Sequence, residues 1–177
     1  NEHIYKYRQL ATAGTIYDRN GKVLVQTKDG ERIYAEDYTV RLSTLHVVGD
    51  SQGFISTGVQ TVYRPHLIGY NFVDGVYSAV KKGKGNDLTL TIDSAVSAAA
   101  YEALGGNKGT IAVYNYKTGA VACEVSSPTF DPENKPDDID TDTSGKYDGI
   151  YLNRFLSGVF TPGSTFKVVT AICAIEN

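Results

Sequence analysis

The sequence has little cysteine, no long apolar run and no large excess of charge of one sign. Its 177 residues include only two cysteines, Cys123 and Cys173, which are too few for a disulfide framework. Because each lies in an apolar stretch, we expect a small buried thiol at both positions. The longest apolar run, 168–175, is far short of the roughly 20 residues that span a bilayer. Lys and Arg number 17 against 20 Asp and Glu, so nothing indicates a nucleic-acid groove. The chain as given is expected to be soluble.

Hydrophobic residues make up 41% of the chain, which suffices for one ordinary domain or two small ones. Asn20-Gly21 separates two β-prone runs and predicts a hairpin turn. The segments 32–42, 44–50 and 58–72 are rich in Tyr, Val and Thr and predict further short strands with little helix. The first half is therefore predicted to be an irregular, β-rich module.

A Lys- and Gly-rich segment without apolar residues, 81–87, has the composition of an exposed connection. It divides the sequence into an N-terminal module, 1–86, and a second domain, 87–177. Because helical patterns join the strands in the second domain, the fold class is predicted to be α+β.

The second domain begins with a predicted helix over 94–104, capped by Asp93 and followed by Gly105. A hairpin over 109–127 and a Pro- and Asp-rich loop over 128–149 come next. A short helix is predicted over 150–158. The helix over 94–104 is expected to place an apolar stripe on one face, formed by Val96, Ala99, Ala100, Ala103 and Leu104.

The segment "GVFTPGSTFKVVTA" carries the main candidate for chemistry, Ser164 followed three residues later by Lys167. Pro162 and Gly163 allow a sharp turn, so a helix should start at or just after Gly163. On a helix the two side chains lie on one face, and a lysine kept neutral can take the proton of a serine nucleophile. The residues after Lys167 are apolar almost all round, which predicts a buried helix. Because Ser-x-x-Lys is common by chance, these two residues by themselves favour a helix cap and a solvated lysine, and only their context can favour catalysis.

Other polar groups have simpler interpretations. Asp138, Asp140 and Asp142 alternate like the start of a calcium loop, but the Gly and Glu that such a loop requires are missing, so a solvated acidic loop is expected. The three histidines, His3, His46 and His66, lack metal-ligand spacing. Next to Asn20-Gly21, Asp18 and Arg19 are expected to tie a turn to the linker through a local ion pair. We therefore predict no metal and no cofactor.

Several segments together resemble a known family. The stretch "LNRFLSGVFTPGSTFK" resembles the nucleophile segment of the penicillin-binding proteins, the serine D,D-transpeptidases of bacterial cell-wall synthesis. The segments "GTIYDRNG" and "HVVG" resemble motifs of the non-catalytic N-terminal module of the class B members. The segments "LTLTID" and "SSPTFDP" look like the entry to their transpeptidase domain, a fold shared with the serine β-lactamases. The resemblance spans nearly the whole chain.

The chain departs from the family at two places. Ala13 stands where the family usually has Arg before the Gly of its first motif. The family also has Ser-x-Asn and Lys-Thr-Gly motifs after its Ser-x-x-Lys. This sequence has no Ser-x-Asn, and its single Lys-Thr-Gly, 117–119, precedes Ser164 and is expected to close a hairpin turn. The second domain is thus expected to be the first part of a transpeptidase domain, without activity by itself.

The resemblance implies a function for the intact protein. Ser164 would attack the D-alanyl-D-alanine of a peptidoglycan stem peptide, with Lys167 as base, and penicillins would acylate the same serine. It implies a place outside the bacterial cell membrane, on an anchor that this chain lacks, and possible contacts of the 1–86 module with other wall-synthesis proteins. Two alternatives stay open at this point: a serine β-lactamase or penicillin-sensor domain, and a non-enzymatic scaffold module.

Overall fold

The computed structural model describes residues 10–71, 76–77 and 84–176. These residues form a mixture of helices and strands, which confirms the α+β class. The strands are β1 Ile16–Tyr17, β2 Val23–Lys28, β3 Glu31–Tyr34, β4 Tyr70–Asn71, β5 Val76–Tyr77, β6 Leu88–Thr89, β7 Gly109–Tyr114 and β8 Val121–Ser127. The helices are α1 Tyr38–Val48, α2 Val59–Val62, α3 Arg64–Leu67, α4 Ser94–Leu104, α5 Arg154–Ser157 and α6 Lys167–Glu176, with a 3-10 turn at Gly163–Phe166 before α6.

The first sheet has the strand order β3-β2-β1-β6. Strands β1, β2 and β3 pair antiparallel, and the predicted turn at Asn20-Gly21 is confirmed, because Gly21 has φ 82° and the Asp18 amide bonds to the Lys22 carbonyl at 2.9 Å. Strand β6 pairs parallel with β1. A strand from beyond the predicted boundary at 86/87 therefore completes the sheet of the first module.

Within 58–72, where strands were predicted, most of 59–67 is helical, as α2 and α3, and only Tyr70–Asn71 is a strand. The prediction of strands over 38–48 was also wrong, because these residues form α1, an eleven-residue helix. Asp37 caps it through a 3.0 Å hydrogen bond from the Val40 amide, a side-chain cap that outweighs the β preference of a Tyr-, Thr- and Val-rich stretch. Helix α1 packs against both α4 and β8. The N-terminal part is thus mixed rather than β-rich, and its main helix faces the second domain.

The helix predicted over 94–104 and the hairpin over 109–127 are confirmed in position, whereas only Arg154–Ser157 is helical within the helix predicted over 150–158. Helix α4 has the predicted bounds, with Asp93 as N-cap and Gly105 in the left-handed region at φ 56°. Strands β7 and β8 pair antiparallel from Gly109↔Ser127 to Tyr114↔Val121. The predicted apolar stripe of α4 is not its buried face, however, since Ser94 and Ser97 are buried while Val96 is 41% exposed.

Two buried apolar clusters hold the described residues together, and each draws on both sides of the predicted boundary. The first is built on the β1–β3 sheet and contacts Leu88, Leu90 and Ala98 from the second domain. The second joins Leu45 and Ile55 to three residues of the connection between β8 and the cap of α5, called the 128–152 loop because it extends beyond the predicted 128–149. These residues are Phe130, Ile139 and Ile150. The predicted connection at 81–87 lies partly outside the described residues, and the division at 86/87 stays a prediction.

Helix α6 differs from its prediction. Every residue from 167 to 176 is exposed, so the expectation of a buried helix was wrong for this chain, because the residues that the structure describes provide no surface that covers it. The expected buried thiol is found at Cys123 in β8, but the same expectation was wrong for Cys173, which is exposed on α6 because that helix is uncovered; no disulfide joins the two. None of the helices in the described ranges is both long and apolar enough to cross a bilayer.

Candidate active site

Ser164 and Lys167 lie at the two ends of one helical turn. Ser164 belongs to the 3-10 turn Gly163–Phe166, and Lys167 is the first residue of α6. The Lys167 amide donates to the Ser164 carbonyl, which closes a three-residue turn. Because positions three apart eclipse each other in a 3-10 helix, the two positions share one side of this turn. This is the arrangement expected of a nucleophile and its base, although the roles of the two residues stay a prediction.

The sharp turn in front of the serine is confirmed. Pro162 has helical angles, φ −67° and ψ −26°, while Gly163 lies in the left-handed region at φ 54°. A side chain at this φ is strained, so glycine suits the position. The Pro162 carbonyl accepts hydrogen bonds from the Thr165 amide at 3.2 Å and from the Thr165 hydroxyl at 2.5 Å. These bonds hold Ser164 at the start of a helix, where amide groups and the helix dipole favour negative charge.

The surroundings of this turn are open. Both Ser164 and Lys167 are exposed, as are all residues from 159 to 176. A lysine that acts as a base needs burial or a neighbouring cation to favour its neutral form. Within the described part of the chain no side chain buries the Lys167 ammonium, so these residues supply the nucleophile turn but not the rest of a reaction pocket.

The segment before the serine is anchored by Asn153, which is only 2% exposed. Asn153 is the N-cap of α5, and its Oδ1 accepts a 3.0 Å hydrogen bond from the Leu156 amide. Its Nδ2 donates to the Glu124 carboxyl in β8 and, at 3.4 Å, to the His46 carbonyl in α1. One amide side chain therefore joins three elements immediately before the serine-bearing segment.

Arg154 joins the same helix to β8 and to the 128–149 loop. Its Nε donates to the Ser127 carbonyl at 2.8 Å, and a terminal nitrogen donates to the Asp148 carbonyl at 2.7 Å. Its backbone amide donates to the Ser126 hydroxyl at 3.0 Å. Gly149 makes room for it, since a Cβ there would meet the guanidinium at 2.8 Å. The Asn-Arg pair, noticed in the sequence only as part of a resemblance, is thus the anchor of α5.

Two buried titratable side chains meet at this anchor. His46 is 1% exposed and its Nε2 lies 2.8 Å from the Ile150 carbonyl, so Nε2 must carry the hydrogen. Burial lowers the pKa of the His46 imidazole to about 4. Glu124 is 7% exposed, and burial raises the pKa of its carboxyl, against the opposing effect of the Asn153 hydrogen bond. Both groups are therefore held towards their neutral forms.

The N-terminal motif "GTIYDRNG" connects the first sheet to the start of the second domain. The Asp18 carboxylate accepts hydrogen bonds from the Ser94 hydroxyl at 2.8 Å and from the Ser94 amide at 3.2 Å. The Asn20 side chain donates to Asp93, the cap of α4, at 3.1 Å. No ion pair joins Asp18 to Arg19 among the described residues. The expected local ion pair was therefore wrong, because the partners of Asp18 are the Asn20 and Lys22 amides of its own turn, both at 2.8 Å, and Ser94 at the start of α4.

Ala13, the departure from the family's first motif, is buried at 1% exposure. A guanidinium nevertheless lies beside it, because Arg32 donates to the Gly14 carbonyl at 2.8 Å and to the Ala13 carbonyl at 3.3 Å. Arg32 also donates to Gln60 at 2.9 Å, and burial lowers the pKa of this guanidinium to about 10. A cation from β3 therefore contacts the motif that lacks one of its own.

The Lys-Thr-Gly string lies at the tip of the β7–β8 hairpin, as predicted. The Lys117 amide donates to the Asn115 side chain at 2.9 Å, and Gly119 takes the positive φ, 75°, that the turn requires. The acidic loop also fits its simpler interpretation. The side chains of Asp138 and Asp140 accept hydrogen bonds from Tyr147 and Tyr151. The described ranges contain no group of three or more metal-ligating side chains, and His3 lies outside them.

Sequence reasoning did not identify Glu124 as a functional residue. One signal was present, because an acidic side chain stands between Cys123 and Val125 in a strand whose residues on both sides are apolar. Such a residue is either exposed at an edge or buried with a partner. Only the fold shows which, since the partner, Asn153, lies 29 positions further along the chain.

Comparison with known proteins agrees with this geometry. Residues 109–177 match the family described as the penicillin binding protein transpeptidase domain. A peptidoglycan D,D-transpeptidase MrdA of Acinetobacter baumannii is 37% identical over 93 residues, covering 50% of this chain and 14% of that protein. The MrdA protein of Escherichia coli is 25% identical over 170 residues, covering 86% of this chain and 25% of that protein.

A solved structure is similar over most of the described fold. It is the D,D-transpeptidase domain of a peptidoglycan glycosyltransferase from Eggerthella lenta, with a TM-score of 0.68 and 30% sequence identity. The match covers 93% of this chain and 37% of that one. This chain therefore spans well under half the length of the relatives that it matches, and the resemblance to the penicillin-binding proteins is confirmed.

Proposed function

We propose, from the premise that residues 109–177 belong to the penicillin-binding protein transpeptidase family, that the protein carrying this chain cross-links peptidoglycan by serine acyl transfer. The observation that carries the proposal is the family match over a segment that sets Ser164 and Lys167 one turn apart at the start of a helix. A nucleophile and a base within reach of each other are the minimum that such chemistry requires.

The proposed reaction has two halves. Ser164 Oγ attacks the carbonyl of the penultimate D-alanine of a stem peptide while its proton passes to the Lys167 amine. The tetrahedral intermediate collapses, the peptide bond to the terminal D-alanine breaks, and the leaving amine takes up a proton. The resulting ester is then attacked by an amine of a neighbouring stem peptide, which forms the new peptide bond and returns the proton to the serine. Amides at the helix start stabilise the oxyanion.

The partners and location follow from the same premise. The substrates are peptidoglycan stem peptides, and β-lactams acylate the same serine because their strained amide presents an equivalent carbonyl. The site of action is the extracytoplasmic face of the bacterial cell membrane. The module predicted over 1–86 carries no catalytic residue in this proposal and serves to dock the transpeptidase domain together with other wall-synthesis proteins.

The chain of 177 residues is proposed to be inactive by itself. It has no Ser-x-Asn, and its one Lys-Thr-Gly lies at the β7–β8 hairpin tip. Both Ser164 and Lys167 are exposed within it. A nucleophile turn without groups that bind the substrate and shield the lysine gives little rate enhancement, since most of the catalytic effect comes from positioning and oxyanion stabilisation.

Labelling with a fluorescent penicillin tests the proposal. The complete protein that carries this chain is expected to form a durable covalent adduct, and Ser164→Ala is expected to abolish it. Ser157→Ala is the matched control, because this serine is exposed on α5 just before the segment. Lys117→Ala tests the Lys-Thr-Gly string at the hairpin tip and is expected to leave the adduct intact.

The outcomes separate the alternatives. An adduct that survives Ser164→Ala would overturn the assignment of the nucleophile. Rapid release of hydrolysed penicillin by the complete protein would favour a β-lactamase instead of a transpeptidase. Durable labelling of the isolated chain, lost in Ser164→Ala, would contradict only the proposed inactivity of the chain by itself.

A further inference from the structure

The buried cluster of His46, Asn153 and Glu124 lies between the N-terminal helix α1 and the segment that leads to Ser164. His46 belongs to α1, Glu124 to β8, and Asn153 caps α5. All three side chains are at most 7% exposed. The proposed reaction uses neither titratable side chain, although burying such groups costs free energy unless they are well paired.

Within this cluster, Asn153 is the residue that links α5 to both β8 and α1. Its Oδ1 is taken by the Leu156 amide, so the side chain cannot turn over without uncapping α5. Its Nδ2 then faces the Glu124 carboxyl and, at a longer 3.4 Å, the His46 carbonyl. Helix α5 ends at Ser157, close in sequence to Pro162 and Gly163 of the nucleophile turn. The position of Asn153 therefore sets where the serine-bearing segment begins.

The imidazole of His46 ties the same region to α1 a second time. Its Nε2 donates to the Ile150 carbonyl at 2.8 Å, three residues before Asn153. Its Nδ1 is buried without a hydrogen-bond partner. Protonation would add a second N–H at Nδ1, where no acceptor meets it, and would place a cation beside Arg154. The neutral ring is thus the form that fits this contact.

We propose that Glu124 and His46 are positioning residues: Glu124, acting through Asn153, fixes α5 to β8, and His46, acting through Ile150, fixes the same segment to α1, so that acylation of Ser164 depends on both contacts and, through His46, on the docking of the N-terminal part. The inference rests on the proposed function, because it concerns the same serine. It assigns to α1 a part in orienting the nucleophile segment although no residue of α1 belongs to that segment.

The charged groups around the cluster set its response to pH. Arg154 on α5 opposes a proton on His46, and no cation is among the groups that shift Glu124. Burial raises the pKa of the Glu124 carboxyl, so ionisation at higher pH places a desolvated charge in the cluster and destabilises it, an effect that the hydrogen bond from Asn153 offsets only in part. Glutamine at this position keeps a carbonyl oxygen for Asn153 and cannot ionise.

Acylation kinetics of the complete protein test the inference. Glu124→Leu removes the acceptor of Asn153 and is expected to slow acylation of Ser164 by a fluorescent penicillin about tenfold, the effect of one lost buried hydrogen bond. Glu124→Gln is expected to retain the rate at the acidic end of the pH range, where the wild-type carboxyl is protonated. The ratio of the Glu124→Gln rate to the wild-type rate is expected to rise with increasing pH, as Glu124 ionises in the wild type.

The matched controls are Glu102→Gln and Glu102→Leu, the same changes at an exposed glutamate of α4. They are expected to leave the rate and its pH profile unchanged. Thermal unfolding of each variant separates stability from positioning, because a merely structural Glu124 would lower the melting temperature while acylation of the folded protein stayed as in the wild type. That result would overturn the inference.

Each outcome also bears on one proposal only. A pH-independent ratio for Glu124→Gln would contradict the positioning role even if Glu124→Leu failed to fold. Wild-type labelling that persists in Ser164→Ala would instead contradict the proposed function and leave the packing of the cluster as described.

Discussion

The described fold has two unlike regions, a packed body from Leu10 to Asn153 and a serine-bearing segment from 159 to 176. In the body, Leu45 is 1% exposed within a cluster that joins α1 to the 128–152 loop. In the segment, Val159 is 98% and Ile175 85% exposed. Both regions are rich in apolar residues, so apolar content alone does not account for the difference.

The contrast shows which contacts determine the position of Ser164. The packed body ends in the Asn153 and Arg154 anchor, whose hydrogen bonds reach α1, β8 and the 128–149 loop. Beyond it, the described residues give Ser164 a local turn but no tertiary contact that buries it. The hydrogen bonds of α5 thus determine where the segment with Ser164 begins. The described residues do not make the contacts that would surround the Ser164 side chain.

The largest expected effect is a loss of stability from a substitution in the buried core, compared with a similar substitution in the exposed segment. Leu45→Ala should lower the free energy of unfolding of this chain by about 3 kcal/mol, because it leaves a cavity in a buried cluster. Ile172→Ala removes the same number of carbon atoms from an apolar side chain on α6, but this position is 50% exposed, so the loss should stay within about 0.5 kcal/mol. Urea unfolding at one pH measures both.

Equal losses for the two variants would contradict the division into a packed body and an uncovered segment. They would mean that α6 packs in solution against a surface that it does not contact in this structure. A loss for Leu45→Ala below about 1 kcal/mol would contradict a different point, the tight packing of the junction between α1 and the 128–152 loop.

The sequence predicted elements where local signals and packing agree. Helix α4 was located to the residue because Asp93 and Gly105 mark its ends. Helix α1 was missed because its β-branched and aromatic residues favour strands, and a single cap, Asp37, decided otherwise. The turn at Gly163 was predicted from its own residues. The burial of α6 was not, because burial depends on a partner surface that local sequence does not reveal.

The same reasoning applies to the candidate site. The pairing of Ser164 and Lys167 is local and was found from the spacing. The roles of Glu124 and His46 are not local, since each contacts residues far away in sequence, at Asn153 and Ile150. The acidic residue within an apolar strand was the one feature of the sequence that indicated a hydrogen-bond partner far away along the chain.

A fall in pH is expected to have the second largest effect, and to act on the packed body. Burial lowers the pKa of His46 to about 4, below its usual 6.5. A depressed folded-state pKa means that the unfolded chain binds the proton more tightly, so this stability is present above about pH 6.5 and is lost as pH falls towards 4. Between pH 7 and pH 5 the loss should amount to about 2 kcal/mol.

His46→Gln should lack that part of the pH dependence, because glutamine does not titrate in this range. The measurement is the difference in unfolding free energy between pH 7 and pH 5, compared for the variant and the wild type. His66→Gln is the matched control, since His66 is exposed. A wild-type loss that His46→Gln does not reduce would show that the imidazole is not buried in its neutral form at the junction.

The smallest effect is expected from the ion pairs that link the 128–149 loop to the rest of the body. Arg41 holds Asp131 through two bonds of 2.9 and 2.8 Å, with side chains only 13% and 12% exposed, whereas Lys108 and Asp148 meet at 3.3 Å with 49% and 73% exposed. Asp131→Asn should lower the free energy of unfolding by about 1 kcal/mol, and Asp148→Asn by less than about 0.5 kcal/mol.

Urea unfolding at low and high salt measures both losses. Because salt screens exposed pairs more strongly, only the effect of Asp131→Asn should persist at high salt. Equal, salt-sensitive effects would mean that the loop is held no more firmly at α1 than at its exposed end, which would remove the distinction between a fixed junction and a loose surface.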